Sequence, residues 1–119
     1  MESNFNFEKL VVYQKALNFV NITYDVTLKY LREERFVMIE QFRRAAISIS
    51  LNIAEGYGTS NLEFKRYLKI AKESTKECIA LITLSKIRGY IDLNQERILR
   101  DYCVEIAKML SGLLNSLNQ

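Results

Sequence analysis

Apolar residues recur along this chain at alternating steps of three and four, in four separate runs. The first is Leu10, Tyr13, Leu17, Val20, Tyr24, Thr27 and Leu31. The second is Phe42, Ala46, Ile49 and Ile53, with Met38 and Ala45 at its edge. The third is Phe64, Leu68, Ala71, Thr75, Cys78, Ile82 and Ser85, and the fourth is Leu99, Cys103, Ile106, Leu110, Leu113 and Leu117. Residues spaced this way share one face of a 3.6-residue helix, so each run predicts an amphipathic helix. No stretch sustains a two-residue alternation, and no sheet is predicted.

The breaks between the runs agree with them. Charged LREERF (Leu31 to Phe36) separates helices one and two, and Gly56 with Gly58 ends helix two. Ser60 and Glu63 have capping-box spacing at the start of helix three. Gly89 ends helix three, and Asp92 or Asn94 caps helix four. Such short connections force antiparallel neighbours, and the three–four step is the seam of near-parallel packing. The expected fold is all-α: an antiparallel up-down-up-down four-helix bundle, one domain over residues 1–119, with helices ~30–40 Å long.

Composition narrows the function classes. The chain of 119 residues is 49% apolar and 26% charged, with no proline and no histidine. Without histidine, Ser–His or Cys–His nucleophile activation and His metal ligation are excluded. Cys78 and Cys103 fall on core-facing positions, where they read as small buried side chains, and two thiols do not make a structural zinc site. No cofactor or metal is expected. No apolar run reaches the ~18 residues of a membrane span, and MESNFNFEKL lacks the layout of a signal peptide. The expectation is a cytoplasmic protein with no membrane partner.

Two surfaces carry what chemistry there is. Helix two has a second apolar flank, Ile47, Leu51 and Ala54, away from its core stripe, which predicts a subunit interface. Its outward line is Arg44, Ser48, Leu51 and Glu55. Arg44 and Glu55 stand ~16 Å apart along the helix, too far to pair, so each is expected to meet a neighbouring helix or subunit. On helix three, Lys65, Lys69, Lys72 and Lys76 are spaced four, three, four and share one face. Residues 65–88 hold seven Lys and Arg against two Glu, net +5, while the rest of the chain has ten against twelve, net −2. Basic charge gathered on one face is the footprint of an anion-binding surface, with Arg66 beside it. No aromatic residue interleaves with the lysines, so binding through them follows charge and shape rather than base identity.

The segments FEKLVVYQKA (7–16), QFRRAAISISLNIAEGYG (41–58), EFKRYLKIAKES (63–74) and RGYID (88–92) together resemble the 23S rRNA intervening-sequence protein family, four-helix bundle proteins encoded within or apart from insertions in bacterial large-subunit rRNA genes. The resemblance covers nearly the whole chain. It extends to the accessory variability determinant proteins of diversity-generating retroelements, basic pentamers that bind nucleic acid and a reverse transcriptase. It implies a ring, typically a homopentamer, with no catalytic activity. Its recurrent motif positions fall here on Gln41, Arg43, Arg44, Asn52, Glu55 and Gly56. Ser50 stands where proline is usual, Thr59 where arginine is frequent and Tyr13 where tryptophan is frequent.

Two function classes follow. One is a non-enzymatic oligomeric adaptor that binds RNA or DNA through helix three, with a reverse transcriptase or another protein as the further partner the resemblance implies. The other is a structural or protein-interaction module whose basic face is only solvated. For Asn52, Glu55 and Gly56 the expectation is joinery: Gly56 left-handed at the end of helix two, with Asn52 and Glu55 bonded to neighbouring backbone or arginine groups.

Overall fold

A computed structural model describes residues 5–118. A 3₁₀ turn, Asn6–Lys9, leads into α1 (Val11–Thr27). The chain then passes through a 3₁₀ turn at Arg32–Glu34 and a π turn at Arg35–Ile39 into α2 (Glu40–Gly56), followed by α3 (Asn61–Ile87) and α4 (Leu93–Leu117). No strand occurs among the described residues. Each helix packs on two neighbours, α1 and α3 both against α2 and α4, so α2 and α4 occupy diagonal corners of the bundle. The body measures 44 × 28 × 24 Å. The all-α up-down-up-down fold is as the periodicity predicts.

The stripes of the last three helices form the core. Phe42, Ala46, Ile49 and Ile53 of α2 are fully buried, as are Leu68, Ala71, Cys78, Ile82 and Ser85 of α3 and Ile106 and Leu110 of α4. Leu113 and Leu117 pack partly buried at its edge. Helix α1 departs from expectation: its stripe is rotated by about one position, and the buried residues are Val12, Ala16, Phe19, Thr23 and Thr27. Tyr24 and Leu31 are exposed instead. Phe19 carries the packing, its ring 6.4 Å from Phe42 and 6.1 Å from Tyr102. Thr27 tolerates burial because of where its hydroxyl goes, whereas the buried Thr23 Oγ1 has no hydrogen-bond partner among the described residues. Thr27 Oγ1 donates to the Thr23 carbonyl at 2.7 Å and accepts from Arg43 Nε at 2.9 Å. Tyr24 sits at the surface under the Arg43 guanidinium, 4.3 Å from its ring centre.

The connections show local chemistry. Asp92 and Gln95 form a reciprocal capping box at the start of α4. At α3 only half a box is present: Ser60 Oγ accepts from the Glu63 N–H at 3.2 Å, while the Glu63 carboxylate turns to Arg66. The α1–α2 and α3–α4 connections meet at one end, where Tyr30 donates to Ser85 Oγ at 2.6 Å and stacks on Tyr90 at 4.7 Å. Burial of that hydroxyl raises the Tyr30 pKa.

Gly56 is not left-handed. It is the last residue of α2, and the positive φ falls on Gly58 (87°) and Gly89 (78°). The need at Gly56 is space: a Cβ there would lie 2.6 Å from Tyr67 Cβ. Gly112, in α4, has nothing within 4 Å. Gly56→Ala is therefore expected to destabilise by about 1–3 kcal/mol through forced separation of α2 and α3. Gly112→Ala should stabilise by about 0.5 kcal/mol through helix propensity. Urea unfolding of the two variants checks the contrast.

Both thiols are buried and free. Burial pushes the Cys103 thiol up to about 12. Burial, with Cys103 close by, also raises Cys78. The native state thus keeps protons that the unfolded chain releases above about pH 9, and stability should fall between pH 9 and 12. Native protein at pH 8 is expected to react with iodoacetamide at least tenfold more slowly than urea-unfolded protein, with mass spectrometry as the readout.

Candidate nucleic-acid interface and adjoining groove

Helix α3 displays the lysines as the spacing predicts. Lys69, Lys72 and Lys76 are exposed and Lys65 is half-buried. Among the described residues none of the four takes part in an ion pair. From Lys65 to Lys76 the strip runs ~16 Å along the helix. Its neighbour Arg66 is less free, bonded to Glu63 at 3.1 Å and stacked over Tyr67 at 4.6 Å. The Glu63 hydrogen bond raises the pKa of the Arg66 guanidinium. Unpaired ammonium groups on a convex strip present positive charge to a ligand without first breaking an internal contact.

On the other side of α3 an open groove of about 820 Å³ runs along α2. Four of the six motif residues, Gln41, Arg44, Asn52 and Glu55, line it. A polar seam forms its floor: Asn52 Nδ2 donates to the Ser48 carbonyl at 2.8 Å and to Ser48 Oγ at 3.0 Å, and Ser74 Oγ of α3 donates to Ser48 Oγ at 2.8 Å. Gln41 reaches across to Glu77 at 3.4 Å. Arg43 points the opposite way and braces α1 through Thr27 and Tyr24. Gly56 permits the close approach to Tyr67 already described.

Arg43 and Gly56 thus sit at contacts of α2 with its neighbours, whereas Asn52 bonds within its own helix rather than to a neighbouring backbone, because Ser48 lies one turn away and offers both oxygens. Glu55 departs further. Its side chain is exposed, and among the described residues it forms no ion pair or hydrogen bond with an arginine or a neighbouring backbone. Arg44 pairs with Glu40, one turn back, at 3.4 Å with 77% of its side chain exposed. Among the described residues neither Arg44 nor Glu55 forms an ion pair with a neighbouring helix. Of the predicted interface flank, Leu51 is 53% exposed, and Ile47 and Ala54 are half-buried.

Sequence reasoning missed Ser74, which closes the seam, and the Tyr30–Ser85–Tyr90 clamp. Ser74 falls between the core stripe of α3 and its outer face, a position the apolar pattern leaves unassigned. Among the described residues no group of three Cys, Asp or Glu side chains could hold a metal ion, and no helix is long and apolar enough to cross a membrane.

No functionally curated protein matches the chain. A crystal structure of a protein with unknown function from the S23 ribosomal protein family of Bacteroides thetaiotaomicron VPI-5482 is similar, with a TM-score of 0.78 and 28% identity over 87% of this chain and 98% of that one. The family model for the 23S rRNA-intervening sequence protein matches residues 8–112. Together with the bundle, these matches identify the chain as a member of the 23S rRNA-intervening sequence protein family.

Proposed function

We propose that the protein is a non-enzymatic, cytoplasmic, oligomeric adaptor that binds structured RNA through Lys65, Lys69, Lys72 and Lys76, with Arg66 at the margin. The supporting observation is the strip itself: four lysines on one face of α3, none of them held by a carboxylate among the described residues. One copy, with a net charge of +3, binds weakly. Assembly, as a pentamer by the family resemblance, repeats the strip at fixed spacing and lets several phosphates be met together. The half-exposed Leu51, between Ile47 and Ala54, supports self-association through α2. The likeness to the retroelement accessory proteins adds a reverse transcriptase as a second partner to this proposal.

Each neutralised phosphate releases condensed counterions, so log affinity should fall with log salt by about 0.7–0.9 per contact. Lys69→Glu with Lys72→Glu is expected to lower affinity for duplex RNA at least tenfold and to flatten the salt slope, leaving the oligomer mass unchanged. Filter retention at two salt concentrations measures both. Wild-type protein that retains neither RNA nor DNA at low salt would leave the lysines as a solvated face, and the protein as an interaction module.

A further inference from the structure

The outward faces of α2 and α4 carry matching lines of residues. On α2 the line is Glu40, Arg44, Ile47 and Leu51. On α4 it is Arg97, Asp101, Val104 and Lys108. Both are spaced four, three, four, and in register they place acid against base, base against acid, and apolar against apolar. In the fourth position such a pairing would set the aliphatic stem of Lys108 over Leu51, with its ammonium toward Glu55 one turn on. All four α4 residues are exposed, Val104 by 46%. Glu40 and Arg44 line the groove beside α2, and Arg97 and Asp101 line a second open groove of about 580 Å³ on α4. Within the chain, Asp101, Lys108 and Glu55 belong to no ion pair among the described residues.

We infer that the α2 face of one copy docks on the α4 face of the next, head to tail, and that this contact builds the ring. The inference rests on the assembly part of the proposal above and adds its geometry. In a closed ring whose axis runs along the bundle, mating faces must be parallel, at equal height, and on different sides of the subunit. Helices α2 and α4 run the same way and sit at diagonal corners. The connections that lead into them meet at the Tyr30–Ser85–Tyr90 clamp. Glu40 lies five residues beyond the start of helical structure at Arg35, and Arg97 lies four beyond Leu93. Both residues thus lie about one turn into their helical segments. A twofold pairing of α2 with itself would match Arg44 to Glu55 of the second copy, but it leaves Asp101, Val104 and Lys108 unmatched.

The arrangement has a consequence for the lysines. Helix α3 occupies the corner between α2 and α4, so joining those two corners turns every α3 strip toward the same side of the ring, with α1 on the other. The strips then act as one surface.

Charge reversal tests the contact. Arg44→Glu and Asp101→Arg should each weaken self-association about tenfold or more, because each sets like charges opposite one another. The double variant restores complementarity and should regain the wild-type mass in sedimentation velocity. Circular dichroism confirms that these exposed substitutions leave the helices intact. Unchanged mass in both single variants, or dissociation by Arg44→Glu alone with Asp101→Arg silent, would overturn the pairing while leaving oligomerisation itself standing. A monomeric wild-type protein at high micromolar concentration would instead remove the assembly on which the inference rests.

Discussion

Helix α2 lies close against α3 because the residues between them are small. Gly56 meets Tyr67 where no side chain fits, and Ser48 meets Ser74 through a 2.8 Å hydrogen bond in place of bulk. This close seam fixes the rotation of both helices about their axes. With α2 so held, Phe42, Ile49 and Ile53 face inward, Arg43 reaches α1, and Arg44, Leu51 and Glu55 are left facing solvent. With α3 so held, Lys65, Lys69, Lys72 and Lys76 form no ion pair among the described residues. The exposed surfaces are in this sense set by the seam between two helices.

Most of this fold was legible in the sequence because large aliphatic residues mark a buried face when they recur at three and four. The stripes of α2, α3 and α4 were found on that basis. Helix α1 was misphased for a physical reason. Its core positions Ala16, Thr23 and Thr27 are small or polar, while tyrosines stand at its edges. Burial there depends on partners the pattern does not reveal: the backbone carbonyl that takes the Thr27 proton and the Arg43 group that bonds its oxygen. Gly56 and Gly58 posed a similar ambiguity. Either glycine can end a helix, and only the Tyr67 contact separates the one needed for space from the one needed for a positive φ.

The candidate surfaces were legible to different depths. Charge periodicity alone located the lysine strip, since i, i+4 and i+7 positions share a face whatever the tertiary structure. Arg44 and Glu55 needed the fold, because a charge has no assigned partner until the neighbouring helices are placed. Among the described residues neither meets a partner in an adjacent helix, and both face outward. Exposed ion pairs contribute little one at a time, so the proposed interface would also depend on apolar contacts among Ile47, Leu51 and Val104.

Within this account, affinity for RNA comes from lysine strips multiplied by assembly rather than from one copy. The direct measurement compares the salt dependence of duplex-RNA binding for the wild-type protein and for Leu51→Glu, which places a charge in the subunit contact and leaves every lysine in place. The account predicts that Leu51→Glu is a folded monomer whose log–log salt slope corresponds to the few phosphates one strip can meet, with the assembled protein several-fold steeper. Equal slopes and equal affinities for a monomeric Leu51→Glu and an assembled wild type would contradict it.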